Sequence, residues 1–214
     1  MEVIHSWNTP SDFMDTFIHS QLIGSGCDGN VFKLTDVNGK CNAYKLFRST
    51  INKDITSTQI CDRITQIQKL RSQSPYFREI YQIHSFKNCE YSYGLLMEWR
   101  DGISIYNWLY PIRGTKFPLN RLIAIVKHII QVLKDLHKSG LYHDDLSDKN
   151  VVIDLEIDQI TIIDFEIDNI GLHNFTDSEP KNDMAGLKSV INQILNFSDV
   201  LVPKDLVSEL MNEF

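Results

Sequence analysis

Two acidic segments in the second half of the chain carry residue types that suit metal-assisted chemistry at a hydroxyl group. The first is the acidic loop, defined as residues 143–150, with the sequence HDDLSDKN. Within it Asp145 could accept a proton from an attacking hydroxyl, and Asn150 could ligate a metal ion. The second is Asp164, which ends an apolar strand and offers a carboxylate to Mg²⁺, a hard cation that uses few protein oxygens. The acidic loop could instead be a solvated surface loop, and Asp164 could simply end a strand in a turn. The apolar segments on both sides of the acidic loop favour a catalytic role for it.

A glycine-rich segment and a lysine in the first half suggest phosphate binding. Residues 24–31, with the sequence GSGCDGNV, fit the pattern GxGxxGxV between two predicted strands. Glycines let a backbone approach phosphate oxygens closely, and Lys45 on the next strand could add a positive charge. A dinucleotide fold would need a helix directly after the glycines, whereas a strand and the Asn38-Gly39 turn follow here. Taken singly, the glycines also fit an ordinary hairpin, and the lysine fits a solvent-exposed edge.

The elements that must position these residues change character along the chain. Alternating patterns in the first half predict a small sheet of about five strands with one helix over residues 54–70. The second half is mainly helical, with one hairpin at 151–154 and 159–164. We therefore divide the chain into a lead-in (1–20), a β-rich part (21–98) and a helical part (99–214). Two unequal parts usually leave a cleft for a ligand. The predicted strands are 31–34, 41–47, 80–86 and 93–98. A long predicted helix stops near Gly140 and has an apolar stripe of Leu122, Ile125, Ile129, Leu133 and Leu136. Further helices are predicted at 183–195 and 203–214.

Composition narrows the class of protein. A net charge of −7, a pI near 5.4 and scattered basic residues disfavour a nucleic-acid platform. We see no apolar run long enough for a membrane span and no signal peptide. The four cysteines match no zinc pattern and are expected to be reduced thiols. These features predict a cytoplasmic location, either in the producing cell or in a host cell after secretion.

Taken together, the motifs closely resemble the protein-kinase signature set in order and spacing, over about residues 22–195. Residues 95–102 resemble the kinase hinge, and residues 133–137 resemble the helix before the catalytic loop. The resemblance implies an α+β, bilobal protein-kinase-like fold with a small β-rich N-lobe and a truncated helical C-lobe. Small bacterial effector kinases and atypical minimal kinases are trimmed in a similar way.

The resemblance also implies a role for each matching residue, with ATP and Mg²⁺ as cofactors. Asp145 would be the catalytic base, assisted by Lys45 and Asn150, and Asn150 and Asp164 would hold Mg²⁺. Asp183 resembles the aspartate that braces the catalytic loop from below. The nucleotide-binding positions would be Ile23, Gly24, Gly26, Gly29, Val31, Ala43, Lys45, Met97 as gatekeeper, Glu98 and Trp99.

Several positions depart from the family pattern. Asp144 replaces the arginine that meets a phosphorylated activation loop, so we expect no phosphorylation between Phe165 and Asp183 to be needed for activity. Ser147 stands where serine/threonine kinases place a lysine near the transferred phosphate, and Lys149 or another cation could substitute. Glu166 replaces a glycine, which points partly toward small-molecule kinases.

The acidic partner of Lys45 is a further departure. Alignment of the apolar positions of the helix places Arg63 where the family has glutamate, and the adjacent Asp62 is our candidate. The interval between Asp164 and Asp183 is short, and the usual peptide-docking loop is not recognisable.

Three functions remain open from the sequence. The first is a protein kinase, most directly for serine or threonine, with a protein substrate and an activator protein as partners. The second is a small-molecule kinase of the aminoglycoside or choline type. The third is a non-catalytic nucleotide-binding pseudokinase, a weak ATPase or an interaction module. Nucleic acid is not an expected partner.

Overall fold

The computed structural model describes residues 4–26, 29–49, 56–87, 89–110, 115–164 and 180–214. The chain divides into two compact units. The described part of the first unit comprises residues 4–71 and 78–100, and that of the second comprises residues 72–77, 101–164 and 180–214, with the gaps given above.

The first unit is built on a six-stranded sheet with the order β1-β5-β6-β4-β3-β2. All neighbouring strands are antiparallel except β1 and β5, which are parallel. The strands are β1 (Ile4–Trp7), β2 (His19–Ser25), β3 (Gly29–Thr35), β4 (Cys41–Arg48), β5 (Ile80–Phe86) and β6 (Tyr91–Glu98), and the helices are α1 (Pro10–Met14) and α2 (Ser57–Gln73).

The predicted Asn38-Gly39 turn joins β3 to β4. The Asp36 carboxylate accepts hydrogen bonds from the backbone N–H groups of Asn38 at 2.8 Å and Lys40 at 2.9 Å. These bonds close the turn through a side chain that mimics a backbone carbonyl. The turn sets the register in which Val31 of β3 pairs with Lys45 of β4.

The outer face of the sheet is covered by the segment that the sequence assigned to a lead-in. Helix α1 starts with a capping box, in which Thr9 and Asp12 exchange side chain to backbone hydrogen bonds. Its Phe13 ring packs on a core cluster that includes Tyr44 of β4. Within residues 1–20 the structure thus adds β1 and α1 to the first unit, and the sheet has six strands where the sequence predicted about five. The cluster consists of Phe13, Leu34, Tyr44, Leu46 and Leu96.

A buried histidine belongs to this covered face. The Nε2–H group of His84 donates to the Gln82 side-chain oxygen at 3.0 Å, so Nδ1 accepts from the Tyr44 hydroxyl at 3.0 Å. Its ring centroid is 4.0 Å from that of Phe13. Burial, with a smaller contribution from His5, lowers the pKa of His84 from 6.5 to about 4. The imidazole is therefore uncharged in the folded protein at neutral pH.

We expect the free energy of unfolding to rise with pH between about 4 and 6.5 because of His84. In this window the unfolded chain binds a proton that the folded chain does not, so acid favours unfolding. At about 1.4 kcal/mol per pKa unit, the contribution lost at the acidic end is about 3 kcal/mol. Urea unfolding across the window measures it. His84→Gln should flatten the dependence, whereas the exposed control His19→Gln should not. An unchanged slope in His84→Gln would contradict this assignment.

The second unit combines helices with a three-stranded sheet of order β7-β8-β9. The apolar stripe predicted for the long helix is confirmed, since all five residues are buried in α4. At the β8–β9 turn, Asp158 forms a 2.7 Å ion pair with Arg121, which holds the hairpin against α4. The elements are β7 (Ile103–Ser104), α3 (Ile105–Leu109), α4 (Leu119–Lys138), β8 (Val151–Asp154), β9 (Gln159–Ile162), α5 (Pro180–Leu195) and α6 (Leu206–Asn212).

Element boundaries differ from the sequence-based expectation by a few residues. Helix α2 begins at Ser57, and β9 ends at Ile162 rather than at residue 164. Helix α5 begins at Pro180, three positions before the predicted start, and α6 is shorter than predicted. The short β7 and α3 were not predicted.

Two absences apply to the part of the chain that the structure describes. No helix there is both long and apolar enough to cross a membrane. The described cysteines Cys41, Cys61 and Cys89 form no disulfide.

Candidate active site

Four predicted nucleotide-binding residues lie on one face of the sheet in the first unit. Val31 pairs with Lys45, and Ala43 pairs with Met97. Ala43 and Lys45 are two positions apart on β4, so their side chains point to the same face. Tyr44, between them, belongs to the covered outer face. The sequence pattern therefore brings these four side chains together on the opposite face.

Lys45 lies on a central strand of the sheet and is only 4 % exposed. The alternative of a solvent-exposed edge lysine is therefore wrong. Its ammonium nitrogen is 4.8 Å from the centre of the Phe47 ring, two positions along the same strand. A buried ammonium on this face is suited to hold phosphate oxygens as a point charge.

The three motif glycines differ in whether packing requires a residue without a side chain. A Cβ atom on Gly29 would overlap the Leu46 carbonyl, so close packing of β3 against β4 requires glycine there. At Gly24 and Gly26 a Cβ atom would meet no described atom within 4 Å. Packing among the described residues therefore does not require those two glycines, and Gly24 lies where the pairing of β2 with β3 shifts register. Ile23, beside Gly24, is 49 % exposed.

The predicted hinge residue Glu98 is fixed at the end of β6. Its backbone N–H donates to the Glu79 carbonyl at 2.8 Å, and its carboxylate pairs with Arg100 at 2.9 Å. Because that N–H already donates to Glu79, the adenine contact predicted for Glu98 would have to use its carbonyl oxygen. Trp99 follows Glu98 in the chain, and the centre of its ring lies 4.4 Å from the ammonium nitrogen of Lys33.

Helix α2 turns Arg63, not Asp62, toward the interior. Arg63 is 6 % exposed and lies in the buried stripe formed by Ile60, Ile64, Ile67 and Leu70, whereas Asp62 is exposed. The burial of Lys45 and the exposure of Asp62 do not support an ion pair between them, and that pairing stays a prediction. The arginine that stands where the family has glutamate is therefore on the buried side of α2.

In the second unit, one histidine links the acidic loop to the strand that precedes Asp164. His143 is fully buried, and its Nε2–H donates to the Ile163 carbonyl at 2.7 Å. Its Nδ1 accepts the backbone N–H of Asp145 at 3.2 Å. These two bonds require the neutral tautomer with the proton on Nε2. Sequence reasoning recognised His143 as part of a motif but missed this linking role, because Ile163 is distant in sequence.

Asn150 fixes Asp145 from the other end of the loop. Its side-chain N–H₂ donates to the Asp145 carbonyl at 2.9 Å and to the Asp145 carboxylate at 3.4 Å. The Asn150 carbonyl accepts the N–H of Ile163 at 3.0 Å. The predicted base, the predicted amide ligand and the residue before Asp164 are thus joined by short hydrogen bonds.

The residues present fit a nucleotide-bound Mg²⁺. Both bonds from the Asn150 side chain use its nitrogen, so the amide oxygen is the atom suited to a metal, with the Asp164 carboxylate as the second donor. No group of three or more His, Cys, Asp or Glu side chains in the described ranges could hold a metal ion. Mg²⁺ does not need such a cage, because it uses one or two protein oxygens together with phosphate and water.

Asp183 braces the acidic loop as predicted. Its fully buried carboxylate accepts the backbone N–H groups of His143 at 2.9 Å and Asp144 at 2.8 Å, and its Oδ2 lies 2.7 Å from Nε2 of His137. Burial alone would raise the pKa of Asp183, but the hydrogen bonds from His137, His143 and Asp144 outweigh it and lower the pKa. One turn later, a Cβ atom on Gly186 would overlap the Leu146 carbonyl, so α5 packs directly on the loop.

Two aspartates of the site have left-handed backbone conformations. The φ angle is 62° at Asp144 and 67° at Asp164. This region costs an L-residue about 1–2 kcal/mol, less for aspartate, which can visit it as a single residue. Such conformations persist where surrounding hydrogen bonds hold them, and they cluster at functional sites.

Residues 17–184, most of the chain, match the protein kinase domain family. The chain belongs to the protein kinase family. The bilobal α+β fold that the motifs implied is therefore the fold of this kinase domain, in which the first unit carries the glycine segment and the second carries the acidic loop.

Solved structures share the fold of this kinase at low sequence identity. A Rad53 structure in complex with AMP-PNP has a TM-score of 0.65 and 17 % identity, over 92 % of this chain and 53 % of that one. The Mycobacterium tuberculosis PknI kinase domain has a TM-score of 0.62 and 18 % identity, over 90 % of this chain and 82 % of that one. The kinase thus spans about half the length of the Rad53 structure. No curated protein matches the chain.

Some sequence-based expectations for this kinase lie outside the described residues. They concern Cys27 in the glycine segment, Phe165 and Glu166 after Asp164, and the expectation about phosphorylation within residues 165–179. Each stays a prediction.

Proposed function

We propose that this kinase domain transfers the γ-phosphoryl group of Mg-ATP to a serine or threonine hydroxyl of a protein. One observation carries the proposal: Asn150 and His143 hold Asp145 within the same hydrogen-bond network as the residue before Asp164. A base and two metal-binding oxygens are the parts that phosphoryl transfer requires in this family.

Each residue has a defined task in the proposed reaction. Asp145, which is exposed, would accept the proton of the acceptor hydroxyl while the hydroxyl oxygen bonds to the γ-phosphorus and the bond from that phosphorus to ADP breaks. Asn150 and Asp164 would hold Mg²⁺, which supplies positive charge to the phosphate oxygens when bound. Lys45 would hold the phosphates that stay with the nucleotide. His143 and Asp183 position the loop without touching a substrate.

The first unit supports ATP as the cofactor. The sheet face that carries Lys45 also carries Val31, Ala43 and Met97, which suit the apolar adenine ring. The related Rad53 structure contains AMP-PNP, an observation made on that protein. For this chain we propose ATP on the basis of the shared face and the family.

Removing the base tests the proposal. Asp145→Ala should lower kcat by about 10²–10⁴-fold, because a positioned base contributes about that much to proton transfer. The assay follows radiolabelled phosphate from ATP to a panel of protein substrates in the presence of Mg²⁺. Asp148→Asn, a change of another carboxylate in the same loop, is the matched control and should keep near wild-type activity.

Two outcomes separate the alternatives. Turnover of a small alcohol from a metabolite panel, with no transfer to any protein, would show that the substrate is a small molecule and not a protein.

Arg63 in the buried stripe of α2 favours a second candidate, a non-catalytic nucleotide-binding module. That candidate predicts nucleotide binding without transfer, and an Asp145→Ala variant with full cellular effect.

A cytoplasmic location and an activator protein are further proposals. Co-purification of the whole chain from its native cell, followed by the kinase assay with and without the bound partner, tests the activator. Unchanged activity after removal of the partner would contradict it.

A further inference from the structure

The glycine-rich segment, of which the structure describes residues 24–26 and 29–31, lies at one edge of the six-stranded sheet. It connects β2 to β3, and β2 is the last strand of the order, so among the described strands it is paired on one side only. The pairing of β2 with β3 also shifts register between Leu22 and Gly24. Backbone pairing therefore holds this end of β2 less regularly than it holds the central strands.

Side chains tie the segment to the rest of the sheet. Ser25 and Asn30 lie opposite each other on β2 and β3, and the Ser25 hydroxyl donates to the Asn30 side-chain oxygen at 2.8 Å. The other end of the amide, Nδ2–H, donates to the Tyr91 hydroxyl at 2.6 Å. The amide thus accepts and donates at the same time, which a carboxylate cannot do.

The bond from Asn30 to Tyr91 spans a strand. Asn30 belongs to β3 and Tyr91 to β6, and β4 lies between them. Two strand intervals amount to about 10 Å, so a side chain as long as tyrosine is needed to cover the distance. The Tyr91 ring packs against the core cluster of the outer face, and Asn30 pairs with Leu46, a member of that cluster. The two side chains therefore meet on the outer face, opposite to Lys45.

The surroundings of Tyr91 keep its hydroxyl in a form that can accept this bond. Burial, and then the charge of Glu90 and a hydrogen bond to it, raise the pKa of Tyr91, and Arg48 opposes them with a smaller effect. The hydroxyl is thus protonated at neutral pH and can receive the Asn30 N–H. The Glu90 carbonyl in turn accepts the Ser49 N–H at 2.8 Å and the Ser49 hydroxyl at 3.0 Å, which fixes this corner of the sheet.

We propose that Tyr91 is a positioning residue for the phosphates of ATP, because its hydroxyl holds the glycine-rich segment through Asn30 and Ser25. The inference rests on the ATP binding of the proposed function. Ordering a backbone segment costs conformational entropy, and a segment that is already ordered binds a ligand without that cost. Tyr91 itself touches no nucleotide, since it lies on the face of the sheet opposite to Lys45.

Calorimetry of the whole chain tests the role of the hydroxyl. Tyr91→Phe removes the hydroxyl and keeps the ring. We expect its Kd for Mg-ATP to rise by about 2–10-fold, the usual effect of one hydrogen bond. Its Kd for adenosine should stay unchanged, because adenosine has no phosphates to meet the segment. Tyr81→Phe is the matched control: Tyr81 is also half-buried against the core cluster, and the variant should bind both ligands like the unchanged chain.

A double-mutant cycle tests whether Tyr91 acts through Asn30. Asn30→Ala should weaken Mg-ATP binding, and the combined variant Asn30→Ala with Tyr91→Phe should bind no more weakly than Asn30→Ala alone. Residues that act through one shared bond have non-additive effects, whereas independent residues have additive ones. Additive losses in the combined variant would therefore overturn the inference. Urea unfolding of each variant checks that the first unit remains folded.

The remaining outcomes are also distinct. Equal weakening of Mg-ATP and adenosine in Tyr91→Phe would overturn the inference, because Tyr91 would then act on the whole unit, and so would an unchanged Kd for Mg-ATP. In the kinase assay, Tyr91→Phe should raise KM for ATP and leave kcat unchanged, as the loss of uniform binding does. Binding of Mg-ATP by the unchanged chain without any transfer would remove the proposed function and leave this inference in place, whereas no binding would overturn both.

Discussion

Replacing Asp164 with asparagine is expected to lower the rate of phosphoryl transfer by about 10³-fold or more. A metal ion contributes several kcal/mol of charge stabilisation to such reactions, and each 1.36 kcal/mol is about a factor of ten in rate. Asparagine is the appropriate substitution because the φ angle at position 164 is 67°, a conformation that asparagine and aspartate tolerate better than alanine. The variant therefore removes charge at the proposed metal-binding position and retains the local backbone.

The measurement is kcat as a function of Mg²⁺ concentration. In Asp164→Asn the residual rate should require more Mg²⁺, since one ligand has lost its charge. Asp154→Asn is the matched control: Asp154 ends β8 of the hairpin that precedes Asp164, and its carboxylate accepts the Glu156 N–H at 2.9 Å, an acceptor role that asparagine can keep. Equal activity of Asp164→Asn and the unchanged chain would refute the metal role.

Asp183→Ala is expected to lower the free energy of unfolding by about 3–5 kcal/mol and to remove activity. The carboxylate is fully buried and receives the N–H groups of His143 and Asp144. Without it, these donors lose their acceptor, and the bond to His137 is lost as well. Because domains are stable by only about 5–15 kcal/mol, this is a large share of the total. Urea unfolding and the kinase assay measure the two effects.

The neighbouring substitution Asn182→Ala is the control, since Asn182 is exposed on the same helix and should change neither stability nor activity. A pH series adds a second readout. The pKa of Asp183 lies below its ordinary value of 3.8, so its contribution is complete above that pH and disappears as the pH falls through the lowered pKa. Asp183→Ala should lose this acid-dependent part. A variant as stable as the unchanged chain would contradict the bracing role.

Local patterns in the sequence were sufficient to predict the longer helices α2, α4 and α5. The stripe of α4 repeats at helical spacing and is buried as expected. The Asn38-Gly39 turn fixes the β3–β4 register, and from it the common face of Val31 and Lys45 follows by alternation. The role of Asp183 followed from family resemblance and is confirmed by its hydrogen bonds to the loop.

Contacts between distant residues were not predictable in this way. The 2.7 Å bond from His143 to the Ile163 carbonyl joins positions 20 residues apart, and no periodicity indicates it. Strands β1 and β5 pair in parallel although most of the first unit separates them in sequence. Asp62 and Arg63 are adjacent in sequence, and only the orientation of the whole helix decides which one is buried.

The packing of β1 and α1 restricts how other molecules can engage the first unit. Trp7, Phe13 and Phe17 already occupy the outer face of the sheet, where Tyr44 and His84 meet them. Another protein could bind this apolar face of the sheet only after displacing β1 and α1. Association with the first unit at that face therefore competes with an intramolecular ligand at very high effective concentration, which favours partners that approach elsewhere.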